Sequence, residues 1–177
     1  MKTLLTISLF AGLILTLCSC PYSSPFKLDD APGMYVDDQY LGKWATFVKQ
    51  TRTEKEEPVK LILSKKNEME YNIAFTGYLD ELRPYKVIKG DSIKGTAFMS
   101  YIGDKQLLNI TIQAKVYIAE IKLKDNKLSL LPLAEHFTSK MIFNNAVLRK
   151  SVEVHYLTRV HPMYDDDFCL KDMVKVN

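Results

Sequence analysis

The sequence predicts a mainly antiparallel all-β domain, a curled sheet or barrel, with one amphipathic helix near the C-terminus. Apolar and polar residues alternate along most of the chain from residue 37, and short turn-forming sequences separate the alternating stretches. Successive strands joined by short turns form antiparallel meanders. A sheet of about nine such strands must close or fold over itself to protect its edges.

The strand predictions rest on stretches in which apolar residues occupy every second position. Asp125-Asn126 is expected to join the last two stretches as a two-residue hairpin turn, because Asp and Asn both tolerate positive φ. Pro132 is expected to end the strand that follows this turn. The predicted strands cover residues 44–49, 59–63, 69–75, 83–89, 93–101, 107–113, 117–124 and 127–130.

The periodicity changes from two to about four after residue 144, which predicts a helix over 146–157. Leu148, Val152 and Tyr156 lie four residues apart and would share one face of this helix. Asn144 or Asn145 can serve as its N-cap. A closing strand is expected over 168–176.

The first 19 residues have the features of an export signal. A single Lys2 precedes an apolar stretch over residues 4–17, which Thr, Ser and Gly interrupt. A membrane-spanning helix needs roughly 20 apolar residues to cross about 30 Å of hydrocarbon, so a permanent span is not expected.

The end of this stretch, Leu17-Cys18-Ser19-Cys20, resembles the bacterial lipobox. The resemblance implies that residues 1–19 are a lipoprotein signal peptide and that Cys20 becomes the lipidated N-terminus. Cys18 fits less well, because the bulky Leu17 precedes it. Two or more acyl chains hold a protein stably on a membrane, whereas one chain holds it only marginally.

Residues 20–36 are expected to be the lipidated cysteine and a flexible tether, because they contain three prolines and no strand or helix period. Residues 37–177 have the size of one barrel-like domain. The formal net charge of +3 is too small to indicate binding to nucleic acid.

No residue pattern in the chain indicates catalysis, a cofactor or a metal site. Cleavage and lipidation would leave Cys169 without an intramolecular disulfide partner, and it is expected to be an inert packed residue. His136, His155 and His161 lack metal-ligand spacing, and 165–167 is an unbroken Asp run without the alternating ligands of a calcium loop. A protein that is not an enzyme is therefore predicted.

Leu41-Gly42-Lys43-Trp44 opens the first strand and resembles the Gly-x-Trp entry of lipocalin-like proteins. With 130–133 and 168–171 as further points of similarity, the mature chain resembles the lipocalin-like bacterial lipoprotein family of Bacteroidota. The resemblance implies structural roles for Gly42 and Trp44, with the indole plugging the closed end of the barrel. An Arg is expected to stack on that indole, either Arg149 or Arg159.

Several aromatic side chains lie on strand faces that are expected to point inward. They could line a ligand cavity or fill the core of a small barrel. These candidate ligand-binding residues are Tyr71, Phe75, Phe98, Tyr101 and Tyr117.

The expected function is that of a membrane-anchored lipoprotein of the cell envelope that binds a small apolar or amphipathic ligand. Its expected location is the outer membrane, facing either the periplasm or the exterior. The alternative is a protein–protein interaction module, an accessory subunit of an outer-membrane complex that binds no ligand. An exposed aromatic patch and a filled barrel would favour this alternative.

Overall fold

The alternating stretches form a closed barrel rather than an open curled sheet. The computed structural model describes residues 21–49, 56–77, 92–158 and 163–176, so the predicted strand over 83–89 lies outside the described residues. The strands are β1 (Ser23–Ser24), β2 (Gly42–Lys49), β3 (Glu56–Lys65), β4 (Tyr71–Gly77), β5 (Ser92–Ile102), β6 (Lys105–Ile112), β7 (Lys115–Lys124), β8 (Lys127–Pro132) and β9 (Leu170–Val176).

Strands β2 to β8 follow one another in the sheet in chain order, and every pairing is antiparallel. Strand β9 pairs with β8 on one side and with β2 on the other, which closes a barrel of eight strands. The two-residue β1 lies outside this ring and pairs with the beginning of β7. The prediction of an antiparallel all-β fold with one late helix is confirmed.

The helix α1 (Asn145–Thr158) begins where the change of periodicity predicts it. Asn144 is its N-cap, because the Asn144 Oδ1 atom accepts a hydrogen bond from the Val147 backbone N–H at 2.8 Å. The hairpin turn after β7 also forms as expected, with Asp125 and Asn126 at φ of 52° and 59°. None of the helices in the described ranges is long and apolar enough to cross a membrane.

A register shift in β9 places two of its apolar residues on the barrel interior three positions apart. Leu170 and Met173 are both buried, and the pairing with β8 shifts between Leu128 and Leu130. Asp172 has a φ of 53°, and its N–H donates to Ser129 Oγ at 3.1 Å. This irregularity has the character of a β-bulge, which returns the next side chain to the same face.

Two apolar clusters lie on opposite faces of the barrel wall. The inner core lies inside the barrel, and an outer cluster lies between α1, the N-terminal segment and the outer faces of β5, β6 and β7. The inner core contains Tyr40, Trp44, Val59, Leu61, Leu63, Tyr71, Ile73, Ala97, Met99, Leu108, Ile110, Ala119, Ile121, Leu128, Leu130, Leu170 and Met173. The outer cluster contains Tyr22, Leu28, Ile102, Leu107, Val116, Ile118, Leu133, Phe137, Leu148 and Val152.

The segment 21–36, predicted to be a flexible tether, is instead packed against the barrel. The Tyr22 N–H donates to the Leu133 carbonyl at 2.7 Å, and Pro21 forms a β-bridge with Ala134. Further along, the Val36 N–H donates to the Glu68 carbonyl at 2.8 Å. The tether prediction is wrong for these residues, because contacts with distant parts of the chain order a segment that has no periodicity of its own.

Asn109 fastens this N-terminal segment to the outer face of β6. Its buried Oδ1 accepts a hydrogen bond from the Leu28 N–H at 2.7 Å, and its Nδ2 donates to Ser100 Oγ at 2.8 Å. A buried amide is stable only when its donors and acceptors are paired. The Asn109 side chain therefore satisfies a backbone group that Leu28 brings into the outer cluster.

We predict that Asn109→Ala lowers the free energy of unfolding by about 1–3 kcal/mol, because it leaves the buried Leu28 N–H without its acceptor. Urea unfolding followed by circular dichroism measures this loss. Hydrogen exchange should accelerate over residues 22–30 in particular. Asn72→Ala, at an exposed position on β4, is the matched control; equal losses for the two variants would contradict the role of Asn109.

Candidate functional site

The barrel interior has one end that is capped by the chain that leads into β2. This capped end also includes the turns at 103–104 and 125–126. A short 3-10 turn over Asp38–Tyr40 brings Tyr40 onto the inner core, with Val36 and Leu41 packed beside it. The Tyr40 side chain is almost fully buried.

Polar groups at the capped end are satisfied by hydrogen bonds within it. The Tyr40 hydroxyl donates to Gln106 Oε1, and Gln106 Nε2 donates to the Tyr101 hydroxyl at 2.8 Å. The Tyr71 hydroxyl accepts a hydrogen bond from the Asp37 N–H at 2.8 Å. The capped end is therefore a bonded plug rather than an open cavity.

Gly42 and Trp44 both belong to the capped end. The Trp44 Nε1–H donates to the Tyr40 carbonyl at 2.8 Å, and the indole is buried. Gly42 has a φ of 128°, and a Cβ there would lie 2.7 Å from Lys175 Cε. The absence of a side chain at Gly42 thus allows the Lys175 Nζ to lie 5.3 Å from the Trp44 ring centroid.

The prediction that Arg149 stacks on the Trp44 indole is wrong. The Arg149 guanidinium lies on the outside, 2.5 Å from Asp29 Oδ1, and donates to the Tyr101 carbonyl at 2.8 Å. The cation over the indole is Lys175, which β9 places opposite Trp44 in the sheet register. Arg159, the other candidate, lies outside the described residues.

At the opposite end of the barrel, four inward-facing apolar residues are partly exposed, whereas Val59 and Ile93 at the same end are fully buried. This end includes the turn at 113–114, and the four residues pack against the inner core without being covered by it. Gly95 on β5 adds no side chain here, because a Cβ at that position would lie 2.3 Å from the Thr111 carbonyl oxygen and 3.0 Å from Ile112 Cγ1. The accessible lining consists of Val48, Phe75, Ile112 and Tyr117.

The five predicted aromatic residues do not form one site. Phe75 and Tyr117 belong to the accessible lining, whereas Tyr71 is buried in the inner core and Tyr101 lies at the rim of the capped end. Phe98 lies on the outer face of β5, where the Lys27 Nζ is 5.6 Å from its ring centroid. The inward direction expected for Phe98 is wrong, because both faces of β5 are buried between 97 and 100 and alternation does not distinguish them.

A buried carboxylate on the outer face of β7 has no counterpart in the sequence predictions. The Lys105 Nζ lies 2.9 Å from Glu120 Oε1, and the Lys122 Nζ lies 3.1 Å from the same atom. The Tyr164 hydroxyl also donates to Glu120. These contacts neutralise the buried charge and fasten the chain after α1 to the barrel wall.

A shallow groove of about 640 Å³ lies between the N-terminal segment and the start of α1. Its polar groups bind one another: Asp29 pairs with Arg149, and Asn145 Nδ2 donates to Asp30 at 2.6 Å. The Lys27 backbone N–H also donates a hydrogen bond to Asn145 Oδ1 at 3.0 Å. The groove therefore marks the line of contact between the N-terminal segment and the start of α1.

The residue types that commonly bind metal ions are not gathered into a metal centre in the part of the chain that the structure describes. No three His, Cys, Asp or Glu side chains come together there as metal ligands would. Cys169 lies just before β9, and burial raises the pKa of its thiol to about 11. A protonated thiol is a weak nucleophile at neutral pH.

Comparisons with known proteins identify no match to this chain. No protein-family model matches the chain, no curated protein matches it in sequence, and no solved structure matches its fold. The function must therefore be argued from the geometry of this chain.

Tyr40 at the capped end makes the free energy of unfolding depend on pH in the alkaline range. Burial, and then the negative charge of Asp37, raise the pKa of Tyr40 to about 12. The phenol ionises near pH 10 in the unfolded chain. The stabilisation from Tyr40 is therefore complete below pH 10 and is lost as the pH rises towards 12.

We predict that Tyr40→Phe lowers the free energy of unfolding by about 1 kcal/mol at pH 8, through loss of the hydrogen bond to Gln106. The variant should also lose less further stability between pH 10 and 12 than the wild type does. Urea unfolding at several pH values measures both effects. The control is Tyr35→Phe, which removes an exposed hydroxyl; a Tyr40→Phe slope equal to that of the wild type would contradict the assignment.

Proposed function

We propose that this chain is a membrane-anchored lipoprotein of the cell envelope that binds one small apolar or amphipathic molecule in the accessible half of its barrel. The observation that supports binding is that Val48, Phe75, Ile112 and Tyr117 face the barrel axis yet remain partly exposed. Apolar side chains in that position are stabilised when a ligand removes them from water.

The dimensions of the barrel suit a small ligand. An eight-stranded barrel is just wide enough to be filled by side chains or to hold one small molecule. The capped end is filled by buried residues such as Trp44 and Tyr71, so we place the ligand at the opposite end, beside the partly exposed side chains. Tyr117 adds an aromatic ring to the aliphatic side chains of this half, so a mainly apolar molecule suits the lining.

The anchor follows from the sequence around Cys20. A diacylglyceryl thioether on Cys20, with acylation of the new N-terminus, would hold the chain stably on a membrane. The outer membrane is the proposed location, and neither a cofactor nor a nucleic acid takes part.

A second candidate function is that of an accessory subunit that binds a protein partner of the envelope. Phe47 is 68% exposed on the outer face of β2, and its cross-strand neighbour Pro58 is exposed as well. Exposed apolar pairs of this kind occur at protein interfaces. This candidate needs no cavity, so a ligand measurement separates the two.

We predict that native mass spectrometry of residues 21–177, purified gently from cell extract, shows a stoichiometric small-molecule adduct that denaturation removes. A folded protein at its bare mass would contradict the ligand proposal and favour the accessory subunit. In that case Phe47→Ser should abolish cross-linking to the envelope partner.

The same measurement locates the ligand through Ile112→Trp, which enlarges a side chain of the accessible lining. The adduct should become weaker by about tenfold, which corresponds to a loss of about 1.4 kcal/mol. Leu157→Trp changes an exposed position on α1 and is the matched control. An adduct that survives Ile112→Trp unchanged would place the ligand elsewhere.

We predict that Cys20→Ser abolishes both the acyl mass and the cleavage before residue 20, so that the variant keeps residues 1–19. Intact mass spectrometry of the wild type should show the mass of the acyl chains on a chain that begins at Cys20. Cys18→Ser is the control and should leave both results unchanged. A wild-type chain without acyl mass, or a Cys20→Ser chain that is processed like the wild type, would contradict the proposed anchor.

A further inference from the structure

The residues directly after Cys20 are held against the domain by backbone hydrogen bonds. Pro21 forms a bridge with Ala134, and the next residue donates its N–H to Leu133. The Tyr22 ring meets the Phe137 ring edge to face, with centroids 5.1 Å apart. The first described residues are thus already part of the outer surface of the domain.

The bridge fixes the position of Pro21, the residue to which Cys20 is bonded. Paired antiparallel residues are about 5 Å apart, so Pro21 lies directly against Ala134. Any lipid attached to Cys20 brings this part of the surface to the bilayer.

The loop over 138–144, which follows Ala134 and Phe137 in the chain, exposes two large apolar side chains. Met141 is 84% exposed and Phe143 is 65% exposed, whereas Ile142 between them packs towards the outer cluster. Residues on both sides of the loop contact the N-terminal segment, since Phe137 contacts Tyr22 and Asn145 accepts the N–H of Lys27. The loop is therefore held alongside residues 22–30.

From these observations we infer that the loop 138–144 inserts Met141 and Phe143 into the interfacial region of the bilayer that holds the Cys20 lipid. The inference rests on the proposed anchor and adds an orientation to it. Aromatic and long apolar side chains are favourable at the boundary between headgroups and acyl chains. The exposed Lys140 adds a cation that anionic headgroups attract.

A fixed orientation follows from two points of attachment. A lipid on a flexible tether would let the barrel turn freely, whereas a docked Pro21 and an inserted loop hold the side near Ala134 against the membrane. Ser64 on β3 lies across the barrel from β7, because four strand positions separate the two strands in the ring of eight. The outer face of β3 should point away from the bilayer.

The test uses the full-length chain, lipidated in a bacterial host and reconstituted in vesicles of phosphatidylethanolamine and phosphatidylglycerol. A polarity-sensitive fluorophore is attached to Met141→Cys, to Phe143→Cys or to the control Ser64→Cys, each combined with Cys169→Ser. Vesicles with spin-labelled lipids then quench any fluorophore that lies in the interface. Intact mass spectrometry of each sample establishes whether Cys20 bears lipid.

We expect quenching at positions 141 and 143 to exceed quenching at position 64 by at least about fivefold. A chain with lipid on Cys20 and equal, weak quenching at all three positions would overturn the loop insertion and leave the anchor standing. A chain without lipid would overturn the anchor, and the insertion that depends on it. The two failures are therefore distinguishable in one set of samples.

Discussion

The pairing of β9 with both β8 and β2 is the constraint on which the other features depend. This single strand, which follows the helix in the chain, turns a meander with two open edges into a ring without edges. It also places Lys175 over Trp44 at the capped end. Closure creates an inside for the barrel, and the inside can then be divided into a filled half and an accessible half.

Burial on the outside of the barrel is the second structural principle. Strands β5, β6 and β7 are buried on both faces, by the inner core and by the layer of α1 and the N-terminal segment. The polar groups in this layer are paired, with Asn109 bound to Leu28 and Glu120 bound to Lys105. The same layer links the proposed membrane anchor to the barrel wall, so that orientation on the membrane and the exposure of the barrel interior become parts of one arrangement.

Much of the fold could be predicted from the sequence because its signals are local. Alternation of apolar and polar residues predicted the strands, and the change of periodicity predicted α1. Asp and Asn, which tolerate positive φ, predicted the turn at 125–126. The docked segment 21–36 was missed because its order comes from partners far along the chain, such as the Asn109 side chain. A residue with that role has no local signature.

The candidate site was only partly predictable for a related reason. Period-two alternation assigns a side chain to one of two faces, but it does not say which face is inside when both are buried, as at Phe98. Nor does it show the position of a residue along the barrel axis. That position separates Phe75 and Tyr117, in the accessible lining, from Tyr71 in the filled half. The burial of Glu120 had no sequence signal, because its partners Lys105 and Tyr164 lie elsewhere in the chain.

The division of the barrel into a filled half and an accessible half can be tested directly by methyl nuclear magnetic resonance. Ile, Leu and Val methyl groups of residues 21–177 would be followed during titration with a medium-chain fatty acid as the amphipathic probe. The account predicts saturable shifts at Ile112 and Val48, with smaller changes at Leu63 in the filled half. Shifts confined to exterior groups such as Leu157, with Ile112 unchanged, would contradict a binding site inside the barrel.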